Sequence, residues 1–407
     1  MKLQVAIIGG GMITGRQILP SVYHLRRLGH VSDVTVCARH STTLCELASS
    51  EVIRSAFPGH RFDPYPPLET DPARSHPDAY QRTIESLPPG QLVIVATPET
   101  SHYDITRFAL LRDQHVLTVK PFVMSYREHT ELERLAEERG LWVGIEYHKR
   151  FDRRALEARH RFREGRFGRF RCGEARLIEP FYYRSSNFQN WFTKDATDPF
   201  TYVGCHYLDL TCFITGVRPV EVSVRGVEGK FPNGNDAYLW TASRVVFDNG
   251  GVLSLLNGLG YPDSGAGSND QGMTLFFESD DGAGGAMLHH ADQYRGVQHC
   301  YLPDHLLGGK SFQFINPDFF RLIPWEGDGL KPVGYGYESI EANVRAALAV
   351  NAAGRGAAAE TAADGFIATP WDTLGNTLAT EAGRLSILHG GRIVKIRYAP
   401  EPGVELI

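Results

Sequence analysis

The most constraining stretch of the chain lies at its start, where the apolar run Val5–Ile8 meets Gly9-Gly10-Gly11-Met12-Ile13-Thr14-Gly15. Four apolar residues without alternation suit a strand covered on both faces, as in a parallel sheet. The residues from Thr14 to about Leu28 then read as helix. A glycine turn between such a strand and a helix lets backbone approach a pyrophosphate closely, and the helix N-terminus supplies N–H groups for it. Gly9, Gly11, Met12 and Ile13 are the residues this geometry sets against a dinucleotide. The third glycine of G-x-G-x-x-G is replaced by Thr14, with Gly15 one residue late. Threonine is small enough for the helix to pack on the strand.

Strand-like and helix-like stretches then alternate. Val34–Ala38, Leu92–Ala96, His115–Thr118 and Trp142–Glu146 read as strands, and His102–Arg112 and Tyr126–Arg139 as helices. This spacing calls for right-handed crossovers and a doubly wound parallel sheet. His60–Pro88, rich in proline and charge, reads as an elaborated crossover. The second strand ends in Ala38-Arg39-His40-Ser41-Thr42, without the acid that holds a ribose 2′-hydroxyl. Arg39 either meets a 2′-phosphate or packs across adenine, which leaves NAD and NADP both open.

Past Arg150 the pattern changes to strands at Val220–Gly226, Thr241–Phe247, Gly250–Leu256, Met273–Glu278 and Gly285–His289. Asp248-Asn249-Gly250 between two apolar runs is the clearest hairpin signal. Glu338–Ala349 and Asp372–His389 read as closing helices. The expected architecture is an α/β Rossmann domain over residues 1–122 and an α+β domain over 123–407. The second domain carries a large, mainly antiparallel open-faced sheet, and its C-terminal helices pack back towards the first domain.

Composition narrows the function classes. A net charge of -5 provides no broad basic field for nucleic acid. No apolar run is long enough for a membrane span, and the N-terminus reads as a strand, not a signal. The six cysteines include no Cys-x-x-Cys pair, which favours reduced thiols and a cytoplasmic location. His289-His290 with Asp292 is no metal site, since neighbouring strand residues point to opposite faces.

Ala96-Thr97-Pro98-Glu99-Thr100-Ser101-His102 followed by Val119-Lys120-Pro121 resembles the Gfo/Idh/MocA oxidoreductase family. The likeness continues through Glu146-Tyr147-His148-Lys149-Arg150-Phe151-Asp152, Gly204-Cys205-His206-Tyr207-Leu208-Asp209 and the Phe247–Gly250 hairpin. It implies NAD(P) in the first domain, contacted by Thr97, Pro98, His102 and Lys120 as well as the glycine turn. It also implies a carbohydrate substrate, and a homodimer or homotetramer formed through the C-terminal sheet. The family's lysine corresponds to Lys120 and its catalytic histidine to His206. Two positions depart from the pattern: Val119 replaces the glutamate of Glu-Lys-Pro, and Tyr202 stands where an aspartate precedes the histidine.

Oxidising an alcohol needs a hydride acceptor and a base near neutral pKa. Lys120 at a strand end and His206 near a helix start suit proton transfer, with the Tyr202 phenol replacing the missing carboxylate. Tyr147 and His148 are expected to line the substrate pocket. Tyr182–Trp191 interleaves aromatic rings with amides and arginine, as a sugar ring requires; Arg184, Asn187, Gln189 and Trp191 are its candidate contacts, unless the loop packs under the sheet. Arg184 and Lys194 are also candidates for an anionic substrate group. The expected activity is NAD(P)-dependent oxidation or reduction of a secondary hydroxyl of a sugar, polyol or glycoside. A redox-neutral glycoside hydrolase and a non-catalytic sugar or nucleotide sensor are the alternatives.

Overall fold

The computed structural model describes residues 2–265, 269–292, 299–300, 313–314, 318–354, 357–362 and 364–407. The chain forms two compact units, the first from Met1–Val123, Arg127–Phe151 and Asp318–Thr373, the second from Met124–Tyr126, Asp152–Pro317 and Leu374–Ile407.

In the first unit, β1 (Leu3–Ile8), β2 (Val31–Cys37), β3 (Asp63–Tyr65), β4 (Leu92–Val95), β5 (His115–Val119) and β6 (Val143–Glu146) form one sheet. Its order is β3-β2-β1-β4-β5-β6, and every neighbouring pair is parallel. The order reverses between β1 and β4, so the carboxyl ends of these strands border the crevice where open α/β sheets take ligands. The helix after the glycine turn widens into a π turn at Thr14–Ile18 before the α-helix Leu19–Arg27. Pro20, with no N–H to donate, supplies the local reason for the slipped ladder.

A single cut near residue 122 does not describe the first unit. β6 pairs with β5. The helix Tyr335–Ala353 places Ile340, Val344, Ala347 and Val350 in the core that also contains Val5, Ile7 and Trp142. Polar anchors fix this helix: Trp142 Nε1 donates to Asn343 Oδ1 at 3.1 Å, and Asn351 Nδ2 donates to the Gly90 carbonyl at 2.7 Å.

His129 is fully buried in this unit, with Nε2 2.9 Å from the Pro370 carbonyl and its ring edge-on to Phe122. Burial pushes its pKa down from 6.5 to about 4, against the opposing effects of the Pro370 carbonyl and Asp372. The folded protein therefore keeps this ring neutral where the unfolded chain already takes a proton. Stability falls as pH drops from about 6.5 towards 4, by up to about 3 kcal/mol from this group alone. Thermal unfolding across that window should show the loss, and His129→Gln should flatten it; an equal slope in the variant contradicts the assignment.

The second unit is built on β7 (Arg169–Pro180), β8 (Pro219–Lys230), β9 (Asp236–Phe247), β10 (Val252–Tyr261), β11 (Asp270–Glu278) and β12 (Gly285–Ala291). With Val394–Arg397 and Gly403–Leu406 they make an eight-stranded sheet, ordered β12-β11-β7-β10-β9-β8 and then the two late strands. Only the β7–β10 pair is parallel. The Asp248-Asn249-Gly250 turn joins β9 to β10 as expected: Gly250 takes φ 81°, and Asn249 Nδ2 donates to the Phe170 carbonyl at 3.0 Å. One sheet face packs on Tyr207, Leu210, Leu378 and Ala382. The opposite face leaves Leu256, Phe276 and Met287 largely exposed. Among the described residues, no helix is long and apolar enough to cross a membrane, and no disulfide involves Cys37, Cys45, Cys172, Cys205 or Cys212.

Candidate active site

The glycine turn is dictated by crowding at the ends of three strands. Gly9 N donates to the Cys37 carbonyl at 2.7 Å and Ala96 N to the Ile8 carbonyl at 2.8 Å, so β1 ends pinned between β2 and β4. Gly9 has φ 115°, and a Cβ there would stand 2.1 Å from the Ala96 carbonyl oxygen. Thr14, fully buried, donates its hydroxyl to the Gly9 carbonyl at 2.6 Å. The missing third glycine is thus a side chain that closes the turn. Gly11 is the opposite case, since a Cβ there would meet nothing within 4 Å. Open space at Gly11, beside helical residues Met12 and Ile13, is a cradle that fits a pyrophosphate. At the end of β2, Arg39 is exposed and Ala38 is buried, so no carboxylate sits at that strand end.

Thr97, Pro98, His102 and Lys120 lie at the ends of β4 and β5. His102 has no exposed surface; its Nε2 lies 2.9 Å from the Thr97 carbonyl and its Nδ1 2.8 Å from the Pro121 carbonyl. It braces the two loops, and any effect on a cofactor passes through Thr97 and Pro121. Burial lowers its pKa, the neighbouring carbonyls oppose that shift, and the Lys120 charge adds to it. Lys120 is half-buried, directly after β5.

Residues that spacing alone does not reveal complete the edge of this unit. Val119 and Glu146 are register partners, so Lys120 and Tyr147 leave adjacent strands at one level. Glu146 is buried; its Oε1 accepts from Gln17 Nε2 at 2.7 Å and its Oε2 contacts His148 Nδ1 at 2.8 Å. The His148 ring stacks on Tyr335, centroids 5.5 Å apart and planes 24° apart, with Phe319 at 5.1 Å. Lys149 Nζ lies 5.8 Å from the centre of the Tyr335 ring. Arg150, also buried, pairs with Asp372. Tyr147 is buried too.

In the second unit Tyr202 lies in a π turn, Phe200–Gly204, that runs directly into the helix Cys205–Thr215. His206 therefore sits in the interior of a continuous helical run, not at its start as expected. The acid that begins this run is Asp198, which the sequence reading did not single out. Asp198 is fully buried, accepts from Thr201 N and Oγ1 at 3.0 Å each, and pairs with Arg384 at 2.9 Å. Asp209 is buried and accepts from Asn376 Nδ2 at 2.7 Å, a structural role.

The Tyr202 ring packs edge-on with Phe188, Trp191 and Phe192 at 5.3, 5.8 and 5.6 Å. The recognition segment divides around this cluster. Trp191 belongs to it, and its Nε1 is buried with no hydrogen-bond partner among the described residues. Asn187 is half-buried. Gln189 instead fastens its loop to the next turn, its Oε1 accepting from Asn233 N at 3.1 Å. Arg184 donates to the Leu259 carbonyl and covers the Phe181 ring at 4.4 Å, while Lys194 pairs with Glu228. Both cations therefore have partners within the fold. His289 is exposed and His290 buried, on opposite faces as expected. His290 Nε2 contacts Asp152 Oδ2 at 2.8 Å, and the Arg154 guanidinium joins the same carboxylate at 2.6 Å.

Comparison with known proteins agrees with the first unit. Residues 3–147 match the family described as "Oxidoreductase family, NAD-binding Rossmann fold". UDP-N-acetylglucosamine 3-dehydrogenase of Acidithiobacillus ferrooxidans is 30% identical over 40% of this chain and 47% of its own. The Bacillus subtilis enzyme scyllo-inositol 2-dehydrogenase (NADP(+)) IolW is 27% identical over 33% of this chain and 37% of its own. The chain thus spans less than half the length of these curated relatives. Two solved structures share the fold over nearly the full length. GenD2 from gentamicin A biosynthesis in complex with NAD has a TM-score of 0.66 at 16% identity, covering 98% of this chain and 97% of its own. Myo-inositol 2-dehydrogenase from Lactobacillus plantarum has a TM-score of 0.64 at 16% identity, covering 98% and 100%.

Proposed function

We propose that the chain, whose residues 3–147 match the Gfo/Idh/MocA oxidoreductase family with its NAD-binding Rossmann fold, is an NAD(P)-dependent oxidoreductase acting on a secondary hydroxyl of a sugar, polyol or glycoside. The observation that carries this reading is the open cradle at Gly11, on the same carboxyl edge of the sheet as Lys120. Gly9, Gly11, Met12 and Ile13 hold the pyrophosphate, Arg39 faces the adenosine ribose, and Thr97, Pro98 and Lys120 reach the nicotinamide half. When bound, the nicotinamide exchanges a hydride with the carbinol carbon. Lys120 is the acid/base group of the first unit, and His206 and Tyr202 are the proton-handling candidates of the second. Tyr147 and His148 on the first unit, and Asn187 and Trp191 on the second, are the candidate sugar contacts, with aromatic rings that suit the C–H faces of a sugar. The exposed sheet face bearing Leu256, Phe276 and Met287 supports a homodimer or homotetramer through that sheet.

Incubation of the cofactor-loaded protein with inositols, free sugars and aryl glycosides tests the reading. Net formation of reduced cofactor is expected. Aglycone release with no net change in cofactor overturns it in favour of redox-neutral hydrolysis, and silence across the panel overturns it in favour of a sensor.

A further inference from the structure

β2 ends in the wrong charge for an adenosine ribose with a free 2′-hydroxyl. An acid there would accept from the hydroxyl, whereas Ala38 offers no acceptor and the Arg39 side chain carries only donors. Ala38 is pinned in place. Its N–H donates to the Tyr65 carbonyl at 3.0 Å, and its methyl lies 3.4 Å from where a Cβ at Gly10 would stand. The same point is 2.9 Å from Thr43 Oγ1, so the first turn of the helix Ser41–Ser49 borders the glycine turn directly. That first turn holds no acidic residue, and the His40 side chain makes no capping hydrogen bond to it. Arg39 is exposed, and among the described residues its side chain makes no ion pair or hydrogen bond. Its carbonyl accepts from His76 N at 2.8 Å, and the Ser41 hydroxyl donates to the Thr70 carbonyl at 2.8 Å, which lays residues 70–76 along the other side. That segment brings one acid, Asp71, engaged with Ala73 N at 2.9 Å, and one base, Arg74.

We propose that the dinucleotide is NADP(H), and that Arg39 and the first turn of the Ser41–Ser49 helix take the phosphate on its adenosine 2′-oxygen, an assignment that rests on the oxidoreductase reading above. A guanidinium presents paired N–H donors that match two phosphate oxygens. The first N–H groups of a helix have no partner inside it, and together with the positive end of the helix dipole they favour an anion. Because Arg39 has no ion pair in the fold, it gives up none on meeting the phosphate. Thr42, exposed in the same turn, adds a hydroxyl. The competing arrangement lays the guanidinium flat across adenine. Stacking of that kind holds NAD(H) and NADP(H) alike, so binding separates the two arrangements.

Titration of the full chain with NADPH, NADH, 2′,5′-ADP and 5′-AMP tests this without turnover. NADPH should bind at least ~30-fold more tightly than NADH, and 2′,5′-ADP should exceed 5′-AMP in the same sense, as charge-assisted hydrogen bonds to a phosphate allow. Arg39→Gln, at an exposed position, should bring NADPH down to the level of NADH while NADH changes by less than about threefold. Thr42→Glu puts a carboxylate where a helix N-terminus favours one, so the fold should be kept or strengthened. It should nevertheless weaken NADPH at least ~10-fold and leave NADH within about threefold, because the new charge repels the phosphate. Equal binding of the two cofactors by the wild type, or tighter binding of NADH, overturns the proposal and leaves the dinucleotide reading standing. So does an Arg39→Gln variant that keeps the preference for NADPH or weakens both cofactors alike, the latter being the mark of stacking on adenine. A folded wild type that binds neither cofactor overturns this assignment together with the reading beneath it.

Discussion

Lys120→Ala should lower the rate of hydride exchange at least ~100-fold while leaving the cofactor bound, the loss expected when a positioned acid/base group is removed. Lys120 is half-buried at the carboxyl end of β5, one residue beyond the register partner of Glu146. Strand ends of this kind carry the chemistry of doubly wound sheets, because their loops face the crevice at the point where the strand order reverses. The lysine adds a charge beside His102, whose ring ties Pro121 to Thr97. Replacing Lys120 leaves that brace in place, so the fold should survive. Single-turnover mixing with a polyol substrate reads the rate, and cofactor fluorescence reads the binding. A variant within threefold of wild type removes Lys120 from the proton path.

Gly9→Ala should be severely damaging. Its backbone sits at φ 115°, and the new methyl would lie 2.1 Å from the Ala96 carbonyl oxygen. Neither atom is a flexible side-chain end, so β1 or β4 must shift. The strained conformation and the clash together should cost at least ~3 kcal/mol, and cofactor binding should disappear with the displaced turn. Gly11→Ala is the matched control, since its methyl meets nothing within 4 Å. That variant should unfold at the wild-type temperature but bind cofactor more weakly, because the methyl fills the space meant for phosphate. Thermal unfolding and cofactor titration of the two variants should therefore part company. Equal Tm values for Gly9→Ala and wild type contradict the geometry of the turn.

The sheet of the first unit was legible because strands buried on both faces write continuous apolar runs, as Val5–Ile8 and Leu92–Val95 do. The β9–β10 hairpin was legible because Asn249-Gly250 has a turn chemistry of its own. β7 was missed although it lies inside the second sheet. Two of its inward positions are Gly173 and Ala175, and Arg171, Glu174 and Arg176 face outward, so its alternation carries little apolar contrast. The placement of 318–373 in the first unit rests on long-range bonds such as Trp142–Asn343, which leave no local period.

The site divides in the same way. The turn glycines follow from local pattern, while the strand-end loops and Lys120 follow from the family resemblance. The Gln17–Glu146–His148 chain joins residues 129 positions apart, and Asp198 pairs with Arg384 across 186. A sequence window sees only a glutamate at a strand end and an acid before a helix. Gln189 and Arg184 show the converse: the right residue types in an inviting loop, yet bound to Asn233 and to the Leu259 carbonyl.

The central claim is that the first unit holds a nicotinamide dinucleotide that takes a hydride from a carbohydrate carbinol. The most direct test is isotope transfer, in which the cofactor-loaded chain turns over inositols and sugars deuterated at the carbinol carbon and the mass of the cofactor is then measured. Reduced cofactor heavier by one deuterium is expected, formed in step with the keto product. Unlabelled, unreduced cofactor throughout, from a folded sample with demonstrated cofactor binding, contradicts it.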